Sequence, residues 1–342
     1  MTTKLRARLL EAIDRLAGIP ILVVADLVLD EFEYGEIERI SREAPVLILA
    51  HRRTDLLPGG GANAAHNVRA LDGRAIVVGR VGADEAGDRL TALLRERGMD
   101  TTHVWRDPAY ATPVKRRTLA GSAHSVKQQI VRVDRGGGPP VVPSAPPFLE
   151  AVRAARSGVR GVLLSDYSLG LFHAGTIPAL MEVLRDTSIP VCVDSRSQLR
   201  LFRGATAATP NLQEAETFAG APVGNDRGGL ERAGATLREA LAAETLVLTR
   251  GSEGMSIFTR DAAPIHLPVY GTDEVADVTG AGDTVIATLS IALAAGIPAD
   301  DAARIANYAG GIVVMKRGTA TVSREELRRA ILHDPALAGP AT

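Results

Sequence analysis

The strongest chemical signal in the sequence is a turn of small residues, Asp277-Val278-Thr279-Gly280-Ala281-Gly282-Asp283-Thr284, that leads into a long apolar helical pattern. Small residues let the backbone turn tightly and point its N–H groups outward at the helix start, where the positive end of the helix dipole favours an anion. Asp283 falls in the first helical turn, and its carboxylate could accept a proton from a hydroxyl that attacks a phosphoryl group. Because Asp is favoured in the first turn of any helix, a capping role is an equally good interpretation of this motif alone.

A second candidate site is a run of glycines, Pro58-Gly59-Gly60-Gly61-Ala62-Asn63. Gly60 and Gly61 allow the backbone to approach a ligand closely, and the Asn63 amide supplies a donor and an acceptor for sugar hydroxyls. The spacing also fits a dinucleotide-binding fingerprint, but polar residues 52–55 follow the preceding strand pattern, so the required strand–turn–helix context is missing. A glycine turn that opens a helix, with Asn63 as its cap, is the structural alternative.

Two pairs of polar residues could face ligands at the ends of predicted elements. Asp26 and Asp30 come at and just after the end of the first strand pattern, and open α/β sheets place ligands at the carboxyl ends of their strands. Asn211 and Glu214 are three residues apart at a helix start, where both could face a phosphate or a hydrated metal ion. Solvated loop charges in the first case and an ordinary capping box in the second are the structural alternatives.

Composition and charge exclude several classes of function. The 342 residues are 46% apolar, which suits one large α/β domain with an appendage or two modest domains. The 39 basic and 40 acidic residues give a net charge of −1, which predicts neither a nucleic acid nor an acidic membrane as a partner. None of the four lysines follows a glycine, so a Walker-type phosphate loop is excluded.

The termini and the single cysteine bear on the cellular location. Residues 1–17 carry charges throughout, which excludes a signal peptide, and the apolar stretch 285–299 is shorter than the ~20 residues that a membrane span needs. Cys192 cannot form an internal disulfide, and its strand-like surroundings predict a core thiol. These features together predict a cytoplasmic protein.

Short apolar runs alternate with helical patterns along most of the chain. Strands are predicted at 21–24, 75–79, 161–164, 191–193 and 246–249. Helices are predicted near 62–71, 85–97, 146–156, 174–186, 212–219, 228–242, 281–295 and 299–315, after an amphipathic N-terminal helix within residues 1–18. Buried strands that alternate with helices predict a mainly parallel sheet covered on both faces, which is a three-layer α/β/α arrangement.

Two segments, about 32–57 and 112–134, interrupt this alternation. The first has no good helical pattern and contains an extended stretch at 45–51, and the second has the pattern of a β-hairpin. We expect the two segments to form one small sheet outside the main layer that acts as a lid. Exposed edges predicted at 46–51 and 113–119 favour a homodimer formed through this lid sheet.

Taken together, these motifs resemble the ribokinase-like (PfkB) carbohydrate kinases over about residues 21–323. The matching segments are Pro58 to Asn63 for the first family signature, Asp277 to Thr284 for the second, Asn211 with Glu214 for the N-x-x-E element, and Thr249 to Gly254 for the nucleotide-binding turn. The resemblance implies a kinase domain over residues 19–334, followed by a tail over 335–342. It also implies ATP and Mg²⁺ as cofactors and a small-molecule hydroxyl as the acceptor.

The resemblance assigns roles to individual residues. Asp283 would be the general base, and Gly280, Ala281 and Gly282 would form the anion hole. The sugar site would comprise Asp26, Asp30, Gly60, Gly61, Asn63 and Asp166. Nucleotide contacts would come from Asn211, Glu214, Thr249, Gly251, Gly254 and Asn307, with Glu214 also binding Mg²⁺ through water. Asp277 and Thr279 would help to hold a monovalent cation such as K⁺.

Within the family, the chain is most similar to the D-glycero-β-D-manno-heptose-7-phosphate kinases. Less common strings carry this similarity, among them Arg39-Ile40-Ser41 and Ser165-Asp166-Tyr167. The similarity implies phosphorylation of the anomeric hydroxyl of a heptose 7-phosphate to the 1,7-bisphosphate. The sequence departs from the subfamily pattern at Ala25, Leu169 and Ser195-Arg196, where Gly, Lys and Pro-Lys are usual, and these departures bear on the sugar more than on the phosphoryl chemistry.

Two other functions fit the same motifs. A related kinase could act on another sugar, sugar phosphate or nucleoside, and a pseudokinase could bind its ligands without turnover. The lid cations Arg39, Lys115, Arg116 and Arg117 favour a phosphorylated sugar, although a solvated strand face explains any single one of them equally well. The joint presence of the base and the N-x-x-E element favours an enzyme.

Many members of the subfamily fuse the kinase to a nucleotidyltransferase with an H-x-G-H motif. This sequence contains no such motif. We therefore expect the adenylylation step to need a separate protein.

Overall fold

The computed structural model describes residues 2–122, 125–137, 145–185, 188–220, 222–223, 227–271, 277–316 and 318–337. Its strands are β1 (Pro20–Ala25), β2 (Leu27–Ile40), β3 (Leu47–Gly60), β4 (Arg74–Gly82), β5 (Asp100–Asp107), β6 (Val114–Gly121), β7 (Gln128–Arg135), β8 (Gly161–Asp166), β9 (Val191–Ser195), β10 (Ala207–Ala208), β11 (Thr245–Thr249), β12 (Met255–Thr259) and β13 (Ile265–Leu267). Its α-helices are α1 (Thr2–Asp14), α2 (Gly61–Ala70), α3 (Glu85–Glu96), α4 (Ala145–Ala155), α5 (Ile177–Arg185), α6 (Leu212–Ala219), α7 (Arg227–Leu241), α8 (Ala281–Ala294), α9 (Ala299–Val314) and α10 (Arg324–His333).

A nine-stranded sheet in the order β13-β12-β11-β10-β9-β8-β1-β4-β5 forms the middle layer of the described residues. Its strands are parallel from β11 through to β5, whereas β12 and β13 add an antiparallel edge. The side chains of residues 21–25 in β1 are all buried, as expected for a central strand covered on both faces. The predicted mainly parallel sheet is confirmed.

Helices cover both faces of this sheet. One face packs against α2, α8 and α9, with Val68, Ile286 and Ile305 in the shared core. The other face packs against α4, α5 and α7, where Phe148 and Leu180 are buried. Two separate apolar cores on either side of one sheet make the three layers that the alternating pattern predicts.

The lid sheet is a separate four-stranded sheet in the order β3-β2-β6-β7. Only Asp26 separates β1 from β2, and β3 ends at Gly60, immediately before α2, so the lid sheet continues directly from the main domain. The small second sheet is confirmed. The exposed edge predicted at 113–119 is wrong, because β6 lies between β2 and β7. The second edge is β7, and every residue of that strand is exposed.

The N-terminal helix packs onto the main domain. Leu9, Ile13 and Leu16 are buried in the core that α8 and α9 share, and the Arg8 side chain donates two hydrogen bonds to the Asp301 carboxylate, at 2.5 and 2.8 Å. Residues 338–342 of the predicted tail lie outside the described residues. None of the helices in the described ranges combines the length and the apolar composition needed to cross a bilayer.

Cys192 is fully buried in β9. Burial raises the pKa of its thiol to about 12, so the thiolate is not available at neutral pH. The predicted core thiol is confirmed.

Candidate active site

A polar cavity of about 590 Å³ opens between the lid sheet and the carboxyl ends of the central strands. Open α/β sheets bind ligands at this edge because the loops that follow parallel strands converge there. The lining residues are Asp30, Gly60, Lys115, Arg117, Arg132, Tyr167, Asp194, Arg196, Thr209, Asn211, Gln213, Glu214, Thr217, Thr249, Val278, Thr279, Gly280, Gly282, Asp283 and Thr319. The two strongest sequence motifs therefore meet in one cavity.

Asp283 lies in the first turn of α8 and forms part of the cavity wall. Asn63 donates its amide Nδ2–H to Oδ2 of Asp283 at 2.8 Å, and the Tyr167 hydroxyl donates to Oδ1 at 2.7 Å. Burial raises the pKa of the Asp283 carboxyl to about 6, against the lowering effect of these two hydrogen bonds. The carboxylate is fixed in direction and has a pKa suited to a general base near neutral pH.

The turn before α8 places backbone donors beside this carboxylate. Gly280 has a φ of 81°, a left-handed conformation that glycine adopts without strain, and a Cβ there would lie 2.6 Å from Nδ2 of Asn63. The N–H groups of the first helical turn have no intrahelical acceptor, so those of Gly282 and Asp283 can bind an anion. The N–H of Ala281, also predicted to be part of the anion hole, instead donates to the Val278 carbonyl at 3.3 Å. A Cβ on Gly282 would meet no atom within 4 Å, which shows that the turn faces open space.

Asp30 lies at the lid side of the cavity. Its Oδ1 pairs with Nη1 of Arg117 at 2.9 Å, and its Oδ2 accepts a hydrogen bond from the Thr319 hydroxyl at 3.1 Å. A Cβ on Gly59 would lie 2.5 Å from Cγ of Asp30, so any larger residue at this position would clash with the carboxylate. Of the predicted sugar-site residues, Asp30 and Gly60 line the cavity.

The other predicted sugar-site residues lie behind the cavity wall. Asn63 has no exposed surface, and Gly61 donates its backbone N–H to the carbonyl of Asp26 at 3.0 Å. The buried Asp26 carboxylate accepts backbone N–H groups of Tyr167, Leu169 and Leu171 at 2.9 to 3.3 Å. Burial, with the nearby charge of Asp166, raises the pKa of Asp26 to about 7. Asp26 therefore fixes the loop after β8, and Asn63 holds the Asp283 carboxylate in place.

Asp166 belongs to the same supporting loop. Its two oxygens accept a hydrogen bond from the backbone N–H of Ser168 at 2.8 Å and one from the Ser195 hydroxyl at 2.6 Å. The Ser195 departure from the subfamily pattern therefore has a structural role, because its hydroxyl joins the carboxyl ends of β8 and β9.

The opposite side of the cavity carries the N-x-x-E element. Asn211 caps α6 by accepting the Glu214 backbone N–H at 2.8 Å, and Oε2 of Glu214 accepts the Asn211 backbone N–H at 2.9 Å. The capping box is thus real, and both side chains also line the cavity beside Thr249. The structural and functional interpretations of this motif are compatible.

Asp194 is a cavity carboxylate that the sequence analysis did not select. It lies near the end of β9, and its half-buried side chain lines the same cavity as Glu214. Burial first, and then the charges of Glu214 and Asp283, raise its pKa well above the usual range. The rule that selected Asp26, a carboxylate at the end of a buried strand, would also have found it.

Several predicted nucleotide and cation ligands lie outside the cavity lining. Gly251 and Gly254 form a turn after β11 with positive φ angles of 58° and 81°. Asn307 donates to the Pro268 carbonyl at 2.8 Å and borders a separate apolar cavity. Asp277 accepts the backbone N–H groups of Thr279 at 2.9 Å and Gly318 at 3.0 Å, so it fixes the turn before α8, and Thr279 itself lines the main cavity.

The predicted lid cations on β6 point to opposite faces of the lid sheet, because successive side chains of a strand alternate between its two faces. Lys115 and Arg117 face the cavity, whereas Arg116 points to the other side and pairs with Glu31 at 2.6 Å. Arg39 is exposed on the outer half of β2 and does not line the cavity. Two further cations, Arg132 and Arg196, contribute to the lining.

The fold and this site together define a small-molecule kinase of the ribokinase type: a lid sheet over a mainly parallel sheet, with a carboxylate at a helix-start anion site. The chain belongs to the PfkB family, since the family profile described as pfkB family carbohydrate kinase matches residues 24–131 and 170–326. The chain therefore contains a carbohydrate kinase domain of this family, as the motifs predict.

Individual relatives agree with this assignment. The chain is 42% identical over 308 residues to a protein of Geobacter metallireducens named Bifunctional protein HldE, which covers 90% of this chain and 61% of that protein. It is 40% identical over 312 residues to the protein of the same name from Geobacter sulfurreducens, which covers 91% of this chain and 62% of that protein. The chain thus spans about three fifths of the length of these relatives.

Solved structures show the same fold. Arabidopsis thaliana ribokinase complexed with ribose and ATP matches with a TM-score of 0.69 at 20% identity, over 93% of this chain and 100% of that one. Phosphofructokinase-2 from Escherichia coli in complex with substrates and products matches with a TM-score of 0.73 at 18% identity, over 93% of this chain and 99% of that one.

Proposed function

We propose that this protein uses MgATP to phosphorylate the anomeric hydroxyl of a heptose 7-phosphate, giving the 1,7-bisphosphate. The observation that carries the proposal is the position of Asp283, a buried and doubly hydrogen-bonded carboxylate that faces the cavity at the helix-start anion site. The identity to proteins named HldE and the four cations of the cavity lining support a phosphorylated sugar as the acceptor.

In the proposed reaction, Asp283 accepts the proton of the anomeric hydroxyl. The hydroxyl oxygen forms a bond to the γ-phosphorus of ATP, and the bond from that phosphorus to the bridging oxygen breaks, which leaves ADP. The first-turn N–H groups of α8 stabilise the negative charge on the transferred group. Residues of the lid sheet limit access of water to the same cavity, which favours transfer to the sugar.

Asp194 and Glu214 form a fitting site for Mg²⁺. Both are cavity carboxylates, neither forms an ion pair in the described part of the chain, and their mutual repulsion contributes to the raised pKa of Asp194. No cluster of three or more His, Cys, Asp or Glu side chains suited to a metal occurs among the described residues, so water and phosphate oxygens would supply the remaining ligands. Bound Mg²⁺ would neutralise charge on the nucleotide phosphates.

A monovalent cation held near Asp277 and Thr279 stays a prediction of the family resemblance. The Asp277 carboxylate already accepts two backbone N–H groups. A cation there would act by fixing the turn that presents the anion site.

The proposal is tested by coupled ADP release with MgATP and a panel of acceptors: heptose 7-phosphate, fructose 6-phosphate, fructose, ribose and adenosine. We expect turnover to be selective for heptose 7-phosphate. Selective turnover of another member would replace the proposed substrate and keep Asp283 as the base. Binding of MgATP without turnover of any member would contradict the proposed reaction.

We expect the rate to depend on pH through the Asp283 carboxyl. Burial raises its pKa from the usual 3.8 to about 6. The hydrogen bonds from Asn63 and Tyr167 and the charge of Arg196 act against this rise, and the charge of Asp30 adds to it. The base works only when deprotonated, so kcat should fall about tenfold per pH unit below pH 6 and be level above it. Saturating sugar phosphate removes the ionisation of the free substrate from the measurement. A constant kcat down to pH 5 would refute the assignment of Asp283 as the base, provided that circular dichroism shows the protein to be folded at that pH.

We further propose a homodimer formed through the lid sheet. Its edge strand β7 leaves Ile130, Val131 and Val133 46–48% exposed, which is a surface that a second copy would cover. Sedimentation velocity at micromolar concentration should show a dimer, and Val131→Lys should give a monomer. Leu332→Lys on α10, at a residue 51% exposed, is the control and should leave the dimer intact. A wild-type protein that sediments only as a monomer would contradict this proposal.

A further inference from the structure

Lys115 and Arg196 are two cations that share one aromatic ring in the cavity. Nζ of Lys115 lies 5.1 Å from the centroid of the Tyr167 ring, and Cζ of Arg196 lies 4.1 Å from it. Both side chains line the cavity. Lys115 belongs to lid strand β6, whereas Arg196 directly follows β9 of the central sheet. The pair therefore joins the lid sheet to the main domain across a single ring.

Neither of these two cations forms an ion pair within the described ranges, although other cavity cations do. Arg117 pairs with Asp30 at 2.9 Å, and Arg132 pairs with Asp134 at 2.9 Å. Burial first, and then the charge of Arg196, lower the pKa of Lys115, which shows that the two cations repel each other. Carboxylate charges act on both cations, those of Asp30 and Asp134 on Lys115 and that of Asp283 on Arg196, but none of them forms an ion pair with either cation in the described part of the chain. Two like charges that line one cavity without an ion-pair partner form a site that a bound anion would stabilise.

Tyr167 is held at both ends beside the base. Its hydroxyl donates to Oδ1 of Asp283 at 2.7 Å, and its backbone N–H donates to the buried Asp26 carboxylate at 2.9 Å. The ring that supports both cations is thus fixed relative to the carboxylate that takes the proton. An anion bound between the cations would lie close to the reacting atoms.

We propose that Lys115 and Arg196 form an anion clamp for phosphoryl oxygens beside Asp283, with Tyr167 as the positioning residue of the clamp. The inference deepens the proposed function and rests on it for the source of the anion. The phosphoryl oxygens can belong to the phosphate ester of the sugar or to the terminal phosphoryl group of the nucleotide. Ammonium and guanidinium groups bind both by charge-assisted hydrogen bonds.

The clamp is tested by calorimetric titration of the full chain and of the variants Lys115→Met and Arg196→Met. The probes are heptose 7-phosphate, the magnesium complex of a non-hydrolysable ATP analogue, and inorganic phosphate. Each substitution removes a charged donor and should lower the affinity for the anion about tenfold or more. The matched controls are Lys127→Met and Arg200→Met, since Lys127 binds backbone carbonyls and Arg200 lies over the Phe218 ring at 3.9 Å, both outside the cavity lining.

The three probes separate the two sources of the anion. Weaker binding of heptose 7-phosphate alone assigns the clamp to the sugar phosphate, and weaker binding of the ATP analogue alone assigns it to the nucleotide. If the wild-type protein binds no heptose 7-phosphate, the proposed substrate is refuted, and the nucleotide and phosphate titrations still decide the clamp. Binding of every probe within twofold of wild type in both variants overturns the clamp.

Two substitutions at Tyr167 test its positioning role. Tyr167→Phe keeps the ring and removes the hydroxyl, so it should lower kcat and move the acidic limb of the rate to higher pH, while anion affinity stays within twofold. Tyr167→Leu removes the ring and should also lower the affinity for the anion by about threefold or more. Equal affinities and equal pH profiles for both variants and the wild type would refute the positioning role. If the leucine variant does not fold, Tyr167→Phe alone still tests the role of the hydroxyl.

Discussion

Replacing Asp283 with asparagine should lower kcat by about 10²- to 10⁴-fold, the range that a lost general base accounts for. The amide cannot accept the substrate proton, yet it keeps the size of the side chain. It also offers one acceptor oxygen where the carboxylate offers two, so either Asn63 or Tyr167 loses its acceptor. We therefore expect a modest loss of thermal stability alongside the large loss of rate. Steady-state kinetics and a thermal melt measure the two effects separately.

The control for this variant is Asp261→Asn, an exposed residue that is absent from the lining of the main cavity. It makes the same chemical change and should leave kcat within twofold of the wild type. Unchanged affinity for MgADP in Asp283→Asn would show that the binding site is intact. A kcat near that of the wild type in this variant would exclude Asp283 as the base.

The second large effect is expected for Asp194→Asn. This carboxylate and Glu214 carry the proposed Mg²⁺ site, and loss of one preorganised charge at a phosphoryl-transfer site costs on the order of 10²- to 10³-fold in rate. The half-maximal Mg²⁺ concentration should rise together with the loss of kcat. Since burial and repulsion raise the pKa of Asp194, the neutral asparagine should not destabilise the fold.

Titration of MgCl₂ at fixed ATP, for the wild type, Asp194→Asn and Glu214→Gln, measures this effect. Glu214→Gln should show the same rise, with some loss of stability because Glu214 completes the capping box of α6. An unchanged Mg²⁺ requirement in both variants would place the metal elsewhere. Asp261→Asn again serves as the control and should behave as the wild type.

The sequence predicted most of the central fold because the buried parallel strands impose short continuous apolar runs. The observed bounds agree within a few residues with the predicted ones for strands β1, β4, β8, β9 and β11 and for helices α2 to α9. Strand β10 has only two residues, too few for any periodic pattern. Strand β5 was not predicted because its sequence mixes polar and apolar residues; it forms an edge of the sheet among the described residues, next to β4.

The candidate site was predicted where its chemistry is local in sequence. Asp283 and its glycine turn are adjacent, as are Asn211 and Glu214, so spacing alone brings them together. The hydrogen bond from Asn63 to Asp283 joins residues 220 apart, and it depends on the packing of α2 against α8, which no local pattern encodes. The same holds for Tyr167, whose role depends on the loop that Asp26 fixes.

The lid sheet has a property that concerns how this protein can change over time. Its root is continuous with β1 and α2, and there Asp30 and Gly60 line the cavity, whereas its far turn at residues 41–46 is largely exposed. Inserted residues at the root would displace the floor of the substrate site, but residues added at the far turn would only lengthen a surface loop. The far turn is therefore the part of the lid that lineages can diversify and that an experimenter can load with a reporter group.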